Sequence, residues 1–273
     1  MTPNRTRIVG LVPAAGRARR LSPLPMSKEL YPIGLGPASE AHPGPKVVSQ
    51  YLLERMANAG VREAFVIVRP GKWDIPSYFG DGRSVGMRLA YLTVDVPFGV
   101  PFTLDQAYPF IRDCTIALGF PDVLFWPENA FRILLEQLHA GTADVVLGLF
   151  PTDEPERVGV VDLAENGSVL GIYEKSGRSD LPFMWGIAVW RTTFTEFLHR
   201  FVETKRRSIL QQSASMAAES LVAAQEFPIG DVVHAGIHAG LTVEARILPE
   251  GRYIDIGTPE SLREALALHL GPR

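Results

Sequence analysis

Three arginines and a lysine crowd a run of small residues near the start of the chain, Pro13-Ala14-Ala15-Gly16-Arg17-Ala18-Arg19-Arg20-Leu21, followed by Ser27-Lys28-Glu29-Leu30. Small residues after an apolar run, here Ile8–Val12, would by themselves allow only a tight turn. Arg17, Arg19, Arg20 and Lys28 add a different requirement, because like charges in one loop repel unless an anion lies among them. The chemistry they fit is phosphate binding, and nucleotides are the leading substrate class. The loop is neither a dinucleotide fingerprint, since G-x-G-x-x-G is absent, nor a Walker loop, since Gly-Lys-Ser/Thr is absent.

Other residues carry chemistry less distinctly. Asp122 follows Gly119-Phe120-Pro121, Asp255 precedes Ile256-Gly257-Thr258, and Lys175 follows Glu174. Taken alone they read as a turn or cap residue, a turn residue and one half of a surface pair. His234 and His238 share the i, i+4 spacing of one helix face, but without a nearby carboxylate they read as an ordinary pair rather than metal ligands. The single cysteine, Cys114, lies in an apolar run and reads as a buried, inert thiol. Trp73, Tyr78 and Phe79 read as packing or the wall of a lid.

These residues must be held by elements that alternate in a βαβ rhythm. Predicted strands at 8–12, 64–68, 88–94, 115–118 and 145–150 alternate with predicted helices at 47–59, 103–111 and 128–139, closed in two cases by Gly60 and Gly141. The expected fold is α/β, a Rossmann-like, mainly parallel sheet flanked by helices, with ligands at the carboxyl ends of its strands. Both the Gly16 loop and Asp122 fall there. Beyond Phe150 the rhythm shortens to predicted strands at 159–163, 169–173 and 184–190, an antiparallel extension that would form a substrate lobe. Residues 203–225 read as helical, and 259–270 as a last helix with an apolar stripe through Leu262, Leu266 and Leu270 that is available for a subunit contact. The stretch from Gly34 to Pro45 reads as a surface loop or subunit contact.

The 273 residues fit a single domain, with a nucleotide-binding half over about 1–150 and a second substrate half over about 151–273. A net charge of -3 provides no global field to attract nucleic acid, so positive charge matters only locally. No stretch is apolar for long enough to span a bilayer, and the start of the chain lacks a signal-peptide core. A cytoplasmic protein is expected.

The motifs together resemble the sugar-1-phosphate nucleotidyltransferases, the nucleotide-sugar pyrophosphorylases. Pro13-Ala14-Ala15-Gly16, Arg20-Leu21 and Lys28-Glu29-Leu30 are similar to the family's opening, most of all to its uridylyl- and thymidylyltransferase branches. The likeness recurs in order through Gly119-Phe120-Pro121-Asp122, Gly159-Val160-Val161, Tyr173-Glu174-Lys175, Trp185-Gly186-Ile187 and Tyr253-Ile254-Asp255-Ile256-Gly257-Thr258. It covers nearly the whole chain.

The resemblance implies condensation of a sugar 1-phosphate with a nucleoside triphosphate, releasing pyrophosphate. Arg20, Lys28, Asp122 and Lys175 would be catalytic; Ala14, Ala15, Gly16, Arg17 and Gly99 would bind the nucleotide; Gly159, Glu174, Lys175 and Gly186 would bind the sugar phosphate. Asp122 and Asp255 would hold Mg²⁺, which takes few carboxylates and completes its shell with phosphate oxygens and water. The physical demand is plain: two polyanions must be brought together, so cations must surround them, and the phosphate nucleophile is already ionised. Members of the family form homo-oligomers, which is the expectation here too.

The chain departs from the pattern in three places. Ala18 and Arg19 stand where the family has glycine and threonine, the Arg20 to Lys28 interval is two residues short of the sugar-specific branch, and the middle of the Gly99–Ala107 segment does not match. UTP, dTTP, CTP and GTP all remain open at this point, with UTP or dTTP favoured. So do a cytidylyltransferase acting on a non-sugar phosphate and a catalytically silent regulatory homologue.

Overall fold

The computed structural model describes residues 6–37, 43–95, 98–178, 180–213, 226–248 and 250–270. The strands are β1 (Ile8–Pro13), β2 (Pro32–Pro37), β3 (Pro43–Val47), β4 (Glu63–Val68), β5 (Arg88–Thr93), β6 (Thr115–Leu118), β7 (Val123–Trp126), β8 (Val145–Pro151), β9 (Gly159–Leu163), β10 (Val169–Glu174), β11 (Phe183–Trp190), β12 (Val243–Ile247) and β13 (Arg252–Asp255). The α-helices are α1 (Val48–Asn58), α2 (Asp74–Phe79), α3 (Val100–Asp105), α4 (Tyr108–Ile111), α5 (Ala130–Ala140), α6 (Thr192–Ser213), α7 (Ile229–His238) and α8 (Pro259–Leu270).

Strands β6, β1, β4 and β5 run side by side and parallel. Strand β11 then runs antiparallel to β6 and β8, and the β9–β10 hairpin joins it at Met184 opposite Val160. The expected parallel sheet with an antiparallel extension is therefore present. Alternation explains why β1 lies at its centre: Val9 and Leu11 enter one core cluster, Val12 the other. One face is covered by α1 and α5 through Leu52, Met56, Phe131 and Leu134; the other by α3, α6 and α7 through Phe102, Phe194, Val202 and Val232. Fully burying such side chains is worth roughly 1.5–3 kcal/mol each. Gly10 keeps the first layer tight, since a Cβ there would lie 2.9 Å from Ala64 Cβ and 3.0 Å from Met56 Sδ.

Helix α1 ends as expected at Gly60, whose φ of +91° lets Gly60 N–H reach Ala57 O and Val61 N–H reach Met56 O. Gly141 is different: it follows α5 in extended geometry, φ -104°. There the Arg191 guanidinium donates to the carbonyls of Leu138 and Gly141, doing the capping that a left-handed glycine would otherwise do.

Several expectations are corrected. The single helix over 103–111 is two short helices, α3 and α4, because Pro109 has no N–H and its ring would strike the carbonyl of Asp105 in a continuous helix. The stretch from Gly34 to Pro45 is a hairpin, β2 paired with β3, rather than a loop, although residues 38–42 lie outside the described residues. The α8 stripe is not a free face. Leu262 and Leu266 pack on a third cluster formed by Ile33, Val48, Ile254 and Ile256, so the hairpin, α8 and β13 bury one another. Of the predicted helix at 203–225, residues 203–213 complete α6 and 214–225 lie outside the described residues. Cys114 is buried, as expected. Among the described residues no helix is long and apolar enough to cross a membrane.

Candidate active site

Because β1, β4 and β6 are parallel, the segments that follow them emerge at one edge of the sheet: the loop after Pro13, the loop after Val68 and the turn after Leu118. Asp122 sits in that turn. Asp255 arrives from the far end of the chain through the antiparallel pairing of β13 with β7, which sets Asp255 opposite Val123, while Ile256 N–H donates to the Asp122 carbonyl at 3.0 Å. Register, not sequence proximity, brings the two carboxylates together.

Each carboxylate faces a cation. Lys28 Nζ donates to Asp122 Oδ2 with both side chains largely buried, and Arg20 Nη2 lies 4.0 Å from Asp255 Oδ2. Burial pulls the Lys28 ammonium down, but Asp122 and Asp255 outweigh it and hold its pKa above the ordinary lysine value. Partial desolvation within the cleft and the neighbouring Asp122 raise the Asp255 carboxyl, against the pull of Lys28 and Arg20. Gly257 lies close against both groups: a Cβ there would lie 2.9 Å from both Arg20 Nη2 and Asp255 Oδ1, and its N–H donates to Asp255 Oδ1 at 2.8 Å.

Arg20, Lys28, Asp122 and Gly257 line a cavity of about 400 Å³ that also takes in Ala15 to Arg19, Gly99, Val100 and Thr103, while Asp255 stands behind Arg20 and Gly257 and is not part of its wall. Thus Ala15, Gly16, Arg17, Arg20, Lys28, Gly99 and Asp122 come together as the sequence predicted. Ala14 does not line it; it is buried beneath the loop with its N–H on Ile67 O. Gly16 meets no protein atom within 4 Å of a built Cβ, so packing places no demand on it and the space beside it belongs to the cavity. Ala18 has φ +49°, a left-handed backbone that explains why glycine suits that position better.

Gly99 is fixed by a different constraint. Its φ is +98° and a Cβ would lie 2.2 Å from Phe227 O, because Phe227 runs alongside it in a short parallel bridge that starts α3. Gly99→Ala is therefore expected to push α3 off the cavity and lower Tm, which a melting curve would read directly.

The predicted sugar-phosphate residues form a neighbouring cluster. Glu174 sits in a niche that exists because Gly159 and Gly230 lack side chains; a Cβ on either would strike its carboxylate, at 2.7 and 2.0 Å. Burial raises the Glu174 carboxyl, opposed by hydrogen bonds from the Trp185 side chain and the Gly230 amide. Gly186 makes room in the same way for the Tyr253 ring, 2.3 Å from a built Cβ. Phe120, which lines the first cavity, meets Trp185 at 6.1 Å and so joins the two clusters. Lys175 is exposed at the end of β10 with φ +49° and makes no ion pair among the described residues.

Other candidates resolve structurally. His234 Nδ1 accepts from Ile172 N–H at 3.2 Å, leaving its Nε2 to donate to His238 Nε2 at 3.0 Å, so the pair satisfies itself. Phe79 is core, while Trp73 and Tyr78 are exposed and line neither large cavity. Sequence reasoning missed Thr103, Phe120 and Glu226 in the cavity wall, for which no spacing signal exists. No group of three or more His, Cys, Asp or Glu gathers among the described residues, so any metal here would rest on two aspartates and on ligands from substrate and water. That donor set suits Mg²⁺, which takes few carboxylates and completes its shell with phosphate oxygens and water.

A parallel α/β sheet that carries a cation-rich loop and two facing aspartates at its carboxyl edge defines a phosphate-handling α/β protein. The chain belongs to the nucleotidyl transferase family, whose model matches residues 9–270. It is 29% identical over 263 residues to the glucose-1-phosphate thymidylyltransferase of Neisseria gonorrhoeae, covering 94% of this chain and 80% of that protein. It is 22% identical over 265 residues to the low-salt glycan biosynthesis nucleotidyltransferase Agl11 of Haloferax volcanii, covering 96% and 66%. In fold it matches a Bacillus anthracis chain described as a glucose-1-phosphate thymidylyltransferase, crystallised with sucrose, at TM-score 0.76 and 19% identity over 97% of this chain and 96% of that one.

Proposed function

We propose that this chain condenses a sugar 1-phosphate with a nucleoside triphosphate, dTTP or UTP favoured, to give a nucleotide sugar and pyrophosphate. The observation that carries the reading is the meeting of Asp122 and Asp255, each facing a cation, at the edge of a cavity that runs from the Gly16 loop to Gly99 and has Asp122, Arg20 and Lys28 in its wall. In this reaction a phosphate oxygen of the sugar forms a bond to the α-phosphorus while the bond from that phosphorus to the β-bridging oxygen breaks, its electron pair leaving with pyrophosphate. No proton need be removed from the nucleophile.

Backbone of the Gly16 loop and the Gly99 segment would hold the nucleotide, and Arg20 and Lys28 would offset charge that builds on the triphosphate. Lys175, which makes no ion pair among the described residues, would meet the sugar phosphate, with Glu174 held by Trp185 and Gly230 to accept from a sugar hydroxyl. Asp122 and Asp255 would hold Mg²⁺, which when bound supplies positive charge between the phosphate groups. Support from relatives includes the thymidylyltransferase activity named for the Neisseria gonorrhoeae protein.

The test is pyrophosphate release by the isolated chain with Mg²⁺, each of dTTP, UTP, CTP and GTP, and a panel of sugar and non-sugar phosphates. Turnover restricted to sugar 1-phosphates with dTTP or UTP is expected. Turnover only with CTP and a non-sugar phosphate would establish the cytidylyltransferase reading, and no turnover in any combination would leave a binding homologue.

A further inference from the structure

The loop between β4 and α2 takes no part in the reaction as drawn above. Its Arg69 and Lys72, with Asp74 at the start of α2, line a second cavity, about 430 Å³, which shares Gly16, Arg17, Ala18 and Lys28 with the first; the Gly16 loop is thus the partition between two spaces. Two contacts tie this wall to the loop. Asp74 accepts from Ser27 N–H and Ser27 Oγ, both at 2.7 Å, and Lys72 Nζ donates to Glu29 Oε1 at 2.6 Å. Ser27 and Glu29 flank Lys28, so the wall holds Lys28 in place from both sides.

Arg69 is the residue these contacts do not use. Its Nη1 donates only to the adjacent Pro70 carbonyl, at 3.2 Å, and it pairs with no acid among the described residues. Its Nε is buried with no hydrogen-bond partner. A guanidinium N–H shut away from water and left unbonded is a cost that an absent acceptor would remove. Of the four cations in the lining, Lys28 and Lys72 are already paired with Asp122 and Glu29, which leaves Arg17 and Arg69 to carry charge into the space beside Asp74, whose two oxygens are taken by Ser27. A ligand that meets both guanidinium groups must present negative oxygens.

We propose that this second cavity seats the two outer phosphates of the triphosphate, the future pyrophosphate, and that Arg69 is a phosphate-binding residue there. The proposal rests on the nucleotidyl transfer reading. A triphosphate lying across the Gly16–Ala18 partition places its α-phosphorus in the first cavity by Lys28 and Asp122 and its outer phosphates in the second, so bond cleavage separates the products into separate spaces. Arg69 presents a planar fork suited to two phosphate oxygens, and Lys at that position would keep the charge but not the fork.

Titration calorimetry with pyrophosphate, on the wild-type chain, Arg69→Met and Arg69→Lys, tests the site without turnover. Loss of a charge-assisted pair is expected to weaken pyrophosphate binding by about tenfold or more in Arg69→Met, with partial recovery in Arg69→Lys. In kinetics the KM for pyrophosphate in the reverse reaction should rise alike, while KM for the sugar 1-phosphate stays within about twofold. Because Arg69 supports only a neighbouring carbonyl, its variants should melt with the wild type. Equal pyrophosphate binding by wild type and Arg69→Met, or none by the wild type, overturns the site. Arg69-dependent binding by a chain that releases no pyrophosphate from any triphosphate upholds the site and overturns the reaction.

Discussion

Asp122→Asn is expected to lower kcat by on the order of a thousandfold or more, the scale of losing a preorganised charge at the reacting phosphates, while the variant folds. The amide keeps the size and one acceptor oxygen for Lys28, so the nearly buried ammonium retains a hydrogen bond though it loses its ion pair. Lys28 then carries burial with less compensation, and its pKa should fall from its raised position. The measurement is pyrophosphate release at saturating substrates across a range of Mg²⁺ concentrations, beside a melting curve. If high Mg²⁺ restores near wild-type rates, Asp122 tunes affinity rather than providing an indispensable ligand. If the variant works normally at ordinary Mg²⁺, the metal assignment fails.

Lys72→Met should produce the largest loss of stability. Lys72 and Glu29 form an ion pair whose side chains are 5% and 2% exposed, and Glu29 Oε2 already lacks a partner. Removing one member of a buried pair strands the other charge, typically at about 3–5 kcal/mol, so a fall in Tm on the order of 10 °C is expected. Replacing both, Glu29→Leu with Lys72→Met, should recover most of it, because no buried charge is then left uncompensated. The pH dependence gives a second check. Burial already raises the Glu29 carboxyl above its ordinary value of 4.5, and without Lys72 it must rise further. A carboxyl whose folded pKa lies above its unfolded pKa favours the folded state below the unfolded value and loses that contribution as pH rises through the folded value. The single variant should therefore regain stability relative to wild type as pH is lowered toward 5, and the double variant should not. Flat behaviour of the single variant between neutral pH and pH 5 would show that Glu29 is relieved by some other route.

Both variants also probe Lys28, from opposite sides. Asp122 meets its ammonium directly, whereas Lys72 acts one residue along the backbone through Glu29. A kcat loss in Lys72→Met that persists at temperatures where the variant is folded would mark Lys72 as a positioning residue, because a purely structural role would lower Tm alone.

Much of this was readable from the chain itself. The apolar runs of β1, β4 and β6 announce buried parallel strands because both of their faces must be covered, and the glycine after α1 announces a helix end because only a left-handed residue closes it so tightly. The concentration of positive charge in the loop after β1 was legible too, because charge belongs to the residues themselves. Tertiary structure decided what pairs with what. Asp122 and Asp255 become one site only through the register of β7 with β13, a pairing between short strands for which local sequence holds no signal. Gly159, Gly186 and Gly99 proved to be places where another residue, Glu174, Tyr253 or the Phe227 backbone, needs the missing side chain's space. The α8 stripe, legible as apolar, could not reveal that Leu262 and Leu266 pack against Ile33 of the β2–β3 hairpin and Ile254 and Ile256 beside β13. Periodicity and charge are local properties, carried by each segment wherever it goes; adjacency between distant segments arises only when the core closes. That is why the charge of the loop after β1 could be read from the sequence and the second cavity behind it, with the buried Arg69 Nε lacking a partner in its wall, could not.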